Sequence, residues 1–194
     1  MDWIEFIAAL FGVVSVYLST RENIWSWPTA IVNVLVYALV FYRTKLYADM
    51  GLQFIYAGIS VYGWYHWLHG GADRGVLKVS RITRPTAILV AGIGVPGSLS
   101  LGWLLHSYTD AALPYLDATL SVTSLLAQWL MSRKVLENWL IWVVLDVFYV
   151  GMFMYKGLYL TAGLYAAFLI LAARGYFDWR RSWLRTASTA TARS

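Results

Sequence analysis

Seven apolar runs, each close to the length of a bilayer crossing, divide this chain and set the terms for any fold it can adopt. A membrane-spanning helix needs about 20 mostly apolar residues, with a range of roughly 17–25. Runs of this kind fall at residues 3–18, 24–42, 50–68, 86–106, 115–131, 139–155 and 158–174. The breaks between them are Thr20-Arg21-Glu22-Asn23, Arg43-Thr44-Lys45, the loop 70–85, the segment 108–114, Arg133-Lys134 and Lys156-Gly157, each of which holds charge, Pro or Gly. Only 13% of the residues are charged, against about 25% in soluble domains. The expected class is an all-α integral membrane protein with seven transmembrane helices.

The Lys and Arg residues orient it. With seven crossings, the side that holds the N-terminus carries Arg43, Lys45 and Lys156. The opposite side carries Arg21, Arg74, Lys78, Arg81, Arg84, Arg133, Lys134, Arg174, Arg180, Arg181, Arg185 and Arg193. Positive charge accumulates on the cytoplasmic side, so the N-terminus is expected outside and the C-terminus inside. The net charge of +5 is then a matter of topology, and no nucleic-acid partner is expected. The opening Met-Asp-Trp-Ile-Glu is acidic where a signal peptide is basic, so the first run reads as a retained span. The last residues, 186–194, have no large apolar side chain and are expected to be a disordered cytoplasmic tail.

A shift of about 112 positions lays Tyr47-Ala48-Asp49-Met50-Gly51-Leu52 on Tyr159-Leu160-Thr161-Ala162-Gly163-Leu164. The same shift puts Gly63 on Gly175, Trp67 on Trp179 and Arg21 on Arg133, whereas Glu22-Asn23 meets Glu137-Asn138 only with a three-residue insertion. The expected plan is a three-helix repeat over residues 1–68, a cytoplasmic loop and linker helix over 69–114, and a second repeat over 115–185. Equivalent helices lie four crossings apart, so the two repeats run parallel through the bilayer. That is the SWEET-like arrangement, in which substrate sits at the repeat interface near the midplane. Pro96-Gly97 falls mid-span in the linker and is expected to kink it.

Ionisable and amide side chains at membrane depth are costly and point to function. Asn33 and Asp146 stand midway along the second and sixth runs, and no intramembrane Lys or Arg in the sequence can pair with Asp146. Trp139, Trp142, Asp146 and Tyr149 follow one another at helical spacing on one face. A carboxylate among three aromatic rings suits an organic cation, through charge and cation–π attraction. Ser26, Thr29 or Ala30, Asn33 and Tyr37 form a shorter stripe, with Asp49 and Gln53 near one end of the third run and Gln128 near an end of the fifth. Such groups also serve as hydrogen-bonding glue between helices. Most of the eleven Trp lie near span ends, where an aromatic belt is expected.

Signals for catalysis are poor. The chain has no cysteine, hence no thiol nucleophile or thiolate metal site. His66 and His69 stand at a helix end with no carboxylate nearby and read as interface histidines. Ser98, Ser100 and His106 occur without a Gly-x-Ser-x-Gly elbow. There is no phosphate-binding Gly-rich loop. Neither an enzyme nor an ATP-driven pump is expected, and no metal or cofactor.

The motifs Glu22-Asn23-Ile24-Trp25-Ser26-Trp27-Pro28, Lys45-Leu46-Tyr47-Ala48-Asp49-Met50-Gly51-Leu52-Gln53, Tyr62-Gly63-Trp64-Tyr65, Glu137-Asn138-Trp139-Leu140-Ile141-Trp142 and Lys156-Gly157-Leu158-Tyr159-Leu160-Thr161 together resemble the PnuC-type vitamin transporters, from about residue 4 to residue 179. The resemblance implies a bacterial inner-membrane carrier of three-plus-one-plus-three helices, often a homotrimer among membrane lipids. It implies facilitated diffusion of nicotinamide riboside, or in close relatives of thiamine or riboflavin, followed by trapping through a cytoplasmic kinase. It places Asn138, Trp139, Trp142 and Gln53 in segments that bind substrate. Nicotinamide riboside and thiamine both carry a ring cation that suits Asp146, whereas neutral riboflavin does not need it. The expected binding set is Asn33, Gln53, Asn138, Trp139, Trp142, Asp146 and Tyr149.

Overall fold

The computed structural model describes residues 3–109, 113–155 and 157–191. Lys156 of the charge count, Arg193 with the end of the tail, and the first two residues lie outside them. Seven helices follow in order: α1 (Trp3–Thr20), α2 (Ser26–Arg43), α3 (Tyr47–His69), α4 (Arg84–Tyr108), α5 (Pro114–Ser132), α6 (Asn138–Tyr155) and α7 (Tyr159–Thr191). Every end but the last lies within three residues of its expected place. By length and composition α4, α6 and α7 can each cross a membrane unaided. The rest of the bundle spends part of its apolar character on polar side chains that face inward.

The last helix departs from expectation. At 33 residues it is roughly 50 Å long at 1.5 Å per residue, well beyond a hydrocarbon core of about 30 Å. The segment expected to be disordered is helical as far as Thr191. One local feature favours this. Asp178 lies 3.6 Å from Arg174 and 3.9 Å from Arg181, one turn before and after it. Further on, the Thr186 and Ser188 hydroxyls donate to the carbonyls of Ser182 and Arg185 within the helix, at a small cost to its stability.

Helix starts and stops follow from the sequence. Pro85 and Pro114 occupy first turns, where a missing N–H costs nothing, and the Thr83 hydroxyl caps Thr86 N. α4 stays one helix through Pro96. The turns after α1, α2, α5 and α6 each hold a left-handed residue: Glu22 (φ 54°), Lys45 (φ 60°), Lys134 (φ 50°) and Gly157 (φ 71°). Glycine is the usual residue at such a position, and three of these four are not glycine.

These turns recur at a spacing of 112. Glu22 N donates to Ser19 O and Asn23 N to Leu18 O; Lys134 N donates to Met131 O and Val135 N to Leu130 O. Leu46 N donates to Phe41 O, and Leu158 N to Phe153 O. The register therefore needs no insertion. The structural counterpart of Glu22 is Lys134, not Glu137, so the insertion that laid Glu22-Asn23 on Glu137-Asn138 is corrected. Identity of side chains pulled that alignment off the backbone.

At one end of the bundle four fully buried tryptophans meet. Trp27 stands edge-on to Trp67 (5.2 Å, 88°), Trp139 edge-on to Trp179 (5.4 Å, 88°), and Trp67 lies 5.7 Å from Trp179. Trp67 Nε1 donates to Met131 O at 3.1 Å and Trp179 Nε1 to Ser19 O at 2.9 Å. Each bond joins one half to the other, and a shift of 112 turns one into the other with the halves exchanged. The indoles fit because Gly63 and Gly175 leave room: a Cβ on Gly63 would overlap the Trp27 ring, and one on Gly175 would lie 2.6 Å from Trp139. Gly63→Ala and Gly175→Ala are each expected to lower unfolding free energy by about 1–3 kcal/mol, the usual cost of overpacking. Gly58→Ala and Gly151→Ala, with nothing within 4 Å, should be neutral or slightly stabilising, since Ala is the better helix former. Thermal unfolding in detergent, followed by tryptophan fluorescence, checks both.

A strap from the loop after α3 closes over this end. Leu77 N donates to Trp67 O, Ser80 N to Lys134 O and Leu136 N to Ser80 O. Arg81 pairs with Glu137, whose other oxygen accepts from Ile82 N. The hydrogen bond to Glu137 holds the Arg81 guanidinium above its ordinary pKa range. α4 packs on α5 and leaves Ile88, Ile93, Val95, Leu99 and Trp103 exposed.

Candidate functional site

Six helices, all but α4, enclose a cavity of about 1210 Å³. Its wall is exposed at the end that holds Trp3, Tyr159 and Leu160, at 85%, 68% and 70%. At the other end it stops on Ser19, Trp27, Met131, Trp139 and Ala172, all buried. The cavity is thus open toward the start of the chain and sealed at the tryptophan end.

Helical spacing turned the expected stripe of α6 inward. Trp139, Trp142, Asp146 and Tyr149 all line the cavity. Asp146 is 3% exposed, and among the described residues no cation or hydrogen-bond donor pairs with it. The Trp142 indole N–H is buried without an acceptor. Trp139 is chiefly a core residue that shows the cavity one edge, as its packing on Trp179 and Gly175 requires.

From α2, Ser26, Ala30, Asn33 and Tyr37 line the wall, while Thr29 turns its hydroxyl to the carbonyls of Trp25 and Ser26. Asn33 does two jobs: its Nδ2 donates to Ala8 O at 2.6 Å, tying α2 to α1, and the rest of its amide faces the cavity. Gln53 and Gln128 also line it, and Asp49 is exposed. Asn138 does not reach the cavity. It is the first residue of α6, fully buried, and its Nδ2 turns back to Val135 O at 2.6 Å. In this structure Asn138 holds the turn before α6 and stands off the cavity wall. His66 and His69 stack on Tyr62 and Tyr65.

Sequence reasoning passed over Tyr56, Ser124 and Tyr165. Tyr56 and Ser124 share a hydrogen bond of 2.5 Å across the wall between α3 and α5. Tyr165 lies against Tyr149 at 4.8 Å and Phe153 at 5.1 Å. The repeat could have found Tyr165, since a shift of 112 carries Gln53 onto it.

The two halves frame the cavity alike and furnish it differently. Tyr37 stacks on Phe41 (6.0 Å, 24°) as Tyr149 does on Phe153 (6.3 Å, 22°). Yet the same shift matches Ala30 to Trp142, Asn33 to Leu145, Val34 to Asp146 and Gln53 to Tyr165. A near-symmetric frame with a polar amide side and an aromatic carboxylate side suits a small ligand with unlike ends.

A multi-helix membrane bundle built round a deep cavity, open at one end and sealed at the other, suits a small-solute transporter. The chain belongs to the nicotinamide mononucleotide transporter family, whose sequence profile matches residues 2–181. It is similar to the nicotinamide riboside transporter PnuC of Escherichia coli K12, at 27% identity over 94% of this chain and 87% of that one. It is also similar to the riboflavin/roseoflavin transporter RibM of Streptomyces davaonensis, at 25% identity over 95% and 86%. Among solved structures it matches a crystal structure of the vitamin B3 transporter PnuC, with a TM-score of 0.74 and 26% identity over 94% of this chain and 83% of that one.

Proposed function

We propose that this protein is a passive carrier of nicotinamide riboside in the bacterial inner membrane. The observation that carries the reading is Asp146, a buried carboxylate without a protein partner on the wall of the cavity, set among Trp142, Tyr149 and Trp139. A ring cation supplies the missing charge, and aromatic faces attract it further. Asn33, Gln53 and Gln128 face the same space and suit the hydroxyls of a ribose. Relatives named as nicotinamide riboside transporters support the choice of ligand. Thiamine, whose thiazolium would suit the same carboxylate, is the second reading.

The distribution of Lys and Arg supports an N-terminus outside and a C-terminus in the cytoplasm, which makes the open end of the cavity face outward. Residues 1–68 and 115–185 act as parallel three-helix units that rock about the ligand, joined by segment 69–114. The exposed apolar face of α4 meets lipid or a neighbouring protomer, and assembly as a homotrimer follows from the resemblance to PnuC-type carriers. No metal, cofactor or energy source takes part in the cycle, and trapping falls to chemistry after entry.

Calorimetry on detergent-purified protein with nicotinamide riboside, thiamine and riboflavin tests the ligand. The expected result is tightest binding of nicotinamide riboside and weakest of riboflavin. Binding of thiamine alone would replace the first reading with the second, and tight binding of riboflavin would remove the role of the carboxylate.

A further inference from the structure

The sealed end of the cavity is held by an ion pair made from equivalent positions of the two halves. Lys134 Nζ lies 2.9 Å from Glu22 Oε2, and a shift of 112 carries residue 22 onto residue 134. The two side chains therefore meet where the halves face each other. Lys134 is buried to 3% exposure and its ammonium also lies 4.6 Å from the centre of the Trp67 ring. On either side run the two crossed indole bonds, Trp67 to Met131 and Trp179 to Ser19. Ser19 and Met131 are themselves part of the cavity floor.

The backbone adds an independent argument. Glu22 and Lys134 both hold left-handed φ angles at helix ends, where glycine or asparagine is the least strained choice. Lys45 holds the same angle at the end of α2, so what sets Glu22 and Lys134 apart is that their charged ends meet. Two strained positions with opposite charges, joined across the seam, point to one task for both.

We propose that Glu22 and Lys134 form the latch of the gate at the tryptophan end of the cavity, and that the pair parts when the cavity opens toward that end. This rests on the reading of the chain as an alternating-access carrier, though not on which ligand it carries. With the pair closed, the four indoles seal the floor. With the pair open, Lys134 leaves the Trp67 face, and the floor residues Ser19 and Met131 become accessible from the C-terminal side.

The chain has no cysteine, so Ser19→Cys alone provides a reporter in the full-length protein. In proteoliposomes, a membrane-impermeant maleimide is added to one face or the other. Reaction in the parent is expected through the open mouth and slowly from the C-terminal face. Glu22→Gln should raise the rate from the C-terminal face by about tenfold or more, because it leaves the buried Lys134 charge without its partner in the closed form; Lys134→Gln, which leaves the partly exposed Glu22, should raise it less. Glu22→Lys combined with Lys134→Glu should move the rate back toward the parent's. Should a single variant fail to fold, Glu22→Asp, which keeps the charge but shortens its reach, gives the same reading at smaller amplitude. The proposal is overturned by unchanged rates in the single variants, or by a double variant that labels no more slowly than either single one. No substrate is needed, so an error about the ligand cannot mimic either result.

Discussion

Asp146→Asn is expected to weaken binding of nicotinamide riboside by about tenfold to a hundredfold, the range that follows from losing a charged partner worth about 1.5–3 kcal/mol. The substitution keeps the size and shape of the side chain, removes the charge and exchanges one acceptor oxygen for an NH2 donor. Asp146 is buried on the cavity wall and pairs with no cation among the described residues, so no protein group takes over its role. The control is the reduced dihydropyridine form of the ligand, which has nearly the same shape and no ring charge. Its affinity should change little between parent and variant. Calorimetry on both ligands separates the outcomes. Equal weakening of the two would make Asp146 a structural residue and leave the cation reading without its main support.

The second large effect concerns the tryptophan end. Trp179 is fully buried, packs edge-on to Trp67 and Trp139, and carries one of the two indole bonds that cross between the halves. Trp179→Ala should lower unfolding free energy by about 3–5 kcal/mol, as for other large-to-small core changes. Trp179→Phe keeps much of the packing and removes one of two donors to Ser19 O, the other being Glu22 N, and should cost about 0.5–1.5 kcal/mol. Trp183→Phe, on the same helix and only partly buried, should cost much less. Thermal unfolding of the purified protein ranks the three. A parent-like Trp179→Ala would mean that the cluster does not hold the halves together.

Apolar run length, broken by charge and Pro, made the helices legible with ends within three residues of those observed. The same signal failed past residue 174, because helix persistence outside a bilayer depends on propensity and on pairs such as Arg174 with Asp178, not on hydropathy. On α6 a helical face is a geometric property of the sequence, and the stripe from Trp139 to Tyr149 turned inward together. Asn138 shared a motif with that stripe, but a motif does not fix where a side chain points at a helix start, and this one turned back on its own turn. Tyr56 and Tyr165 were hidden among fourteen tyrosines, most of which suit a membrane interface equally well. The register of the repeat was obscured for a related reason. Glu22 and Lys134 are chemically opposite, so similarity scoring separates them, while their shared left-handed turn and matching hydrogen bonds bring them together.

Flux measured in liposomes containing only this protein tests the central claim most directly. With the membrane potential held at zero, as a cationic ligand requires, labelled nicotinamide riboside should enter until the internal concentration equals the external one, at a rate well above that of empty vesicles. Neither a proton nor a sodium gradient should raise that plateau, and excess unlabelled ligand inside should exchange with label outside. Entry no faster than in empty vesicles, or accumulation that requires a gradient, would contradict a passive nicotinamide riboside carrier.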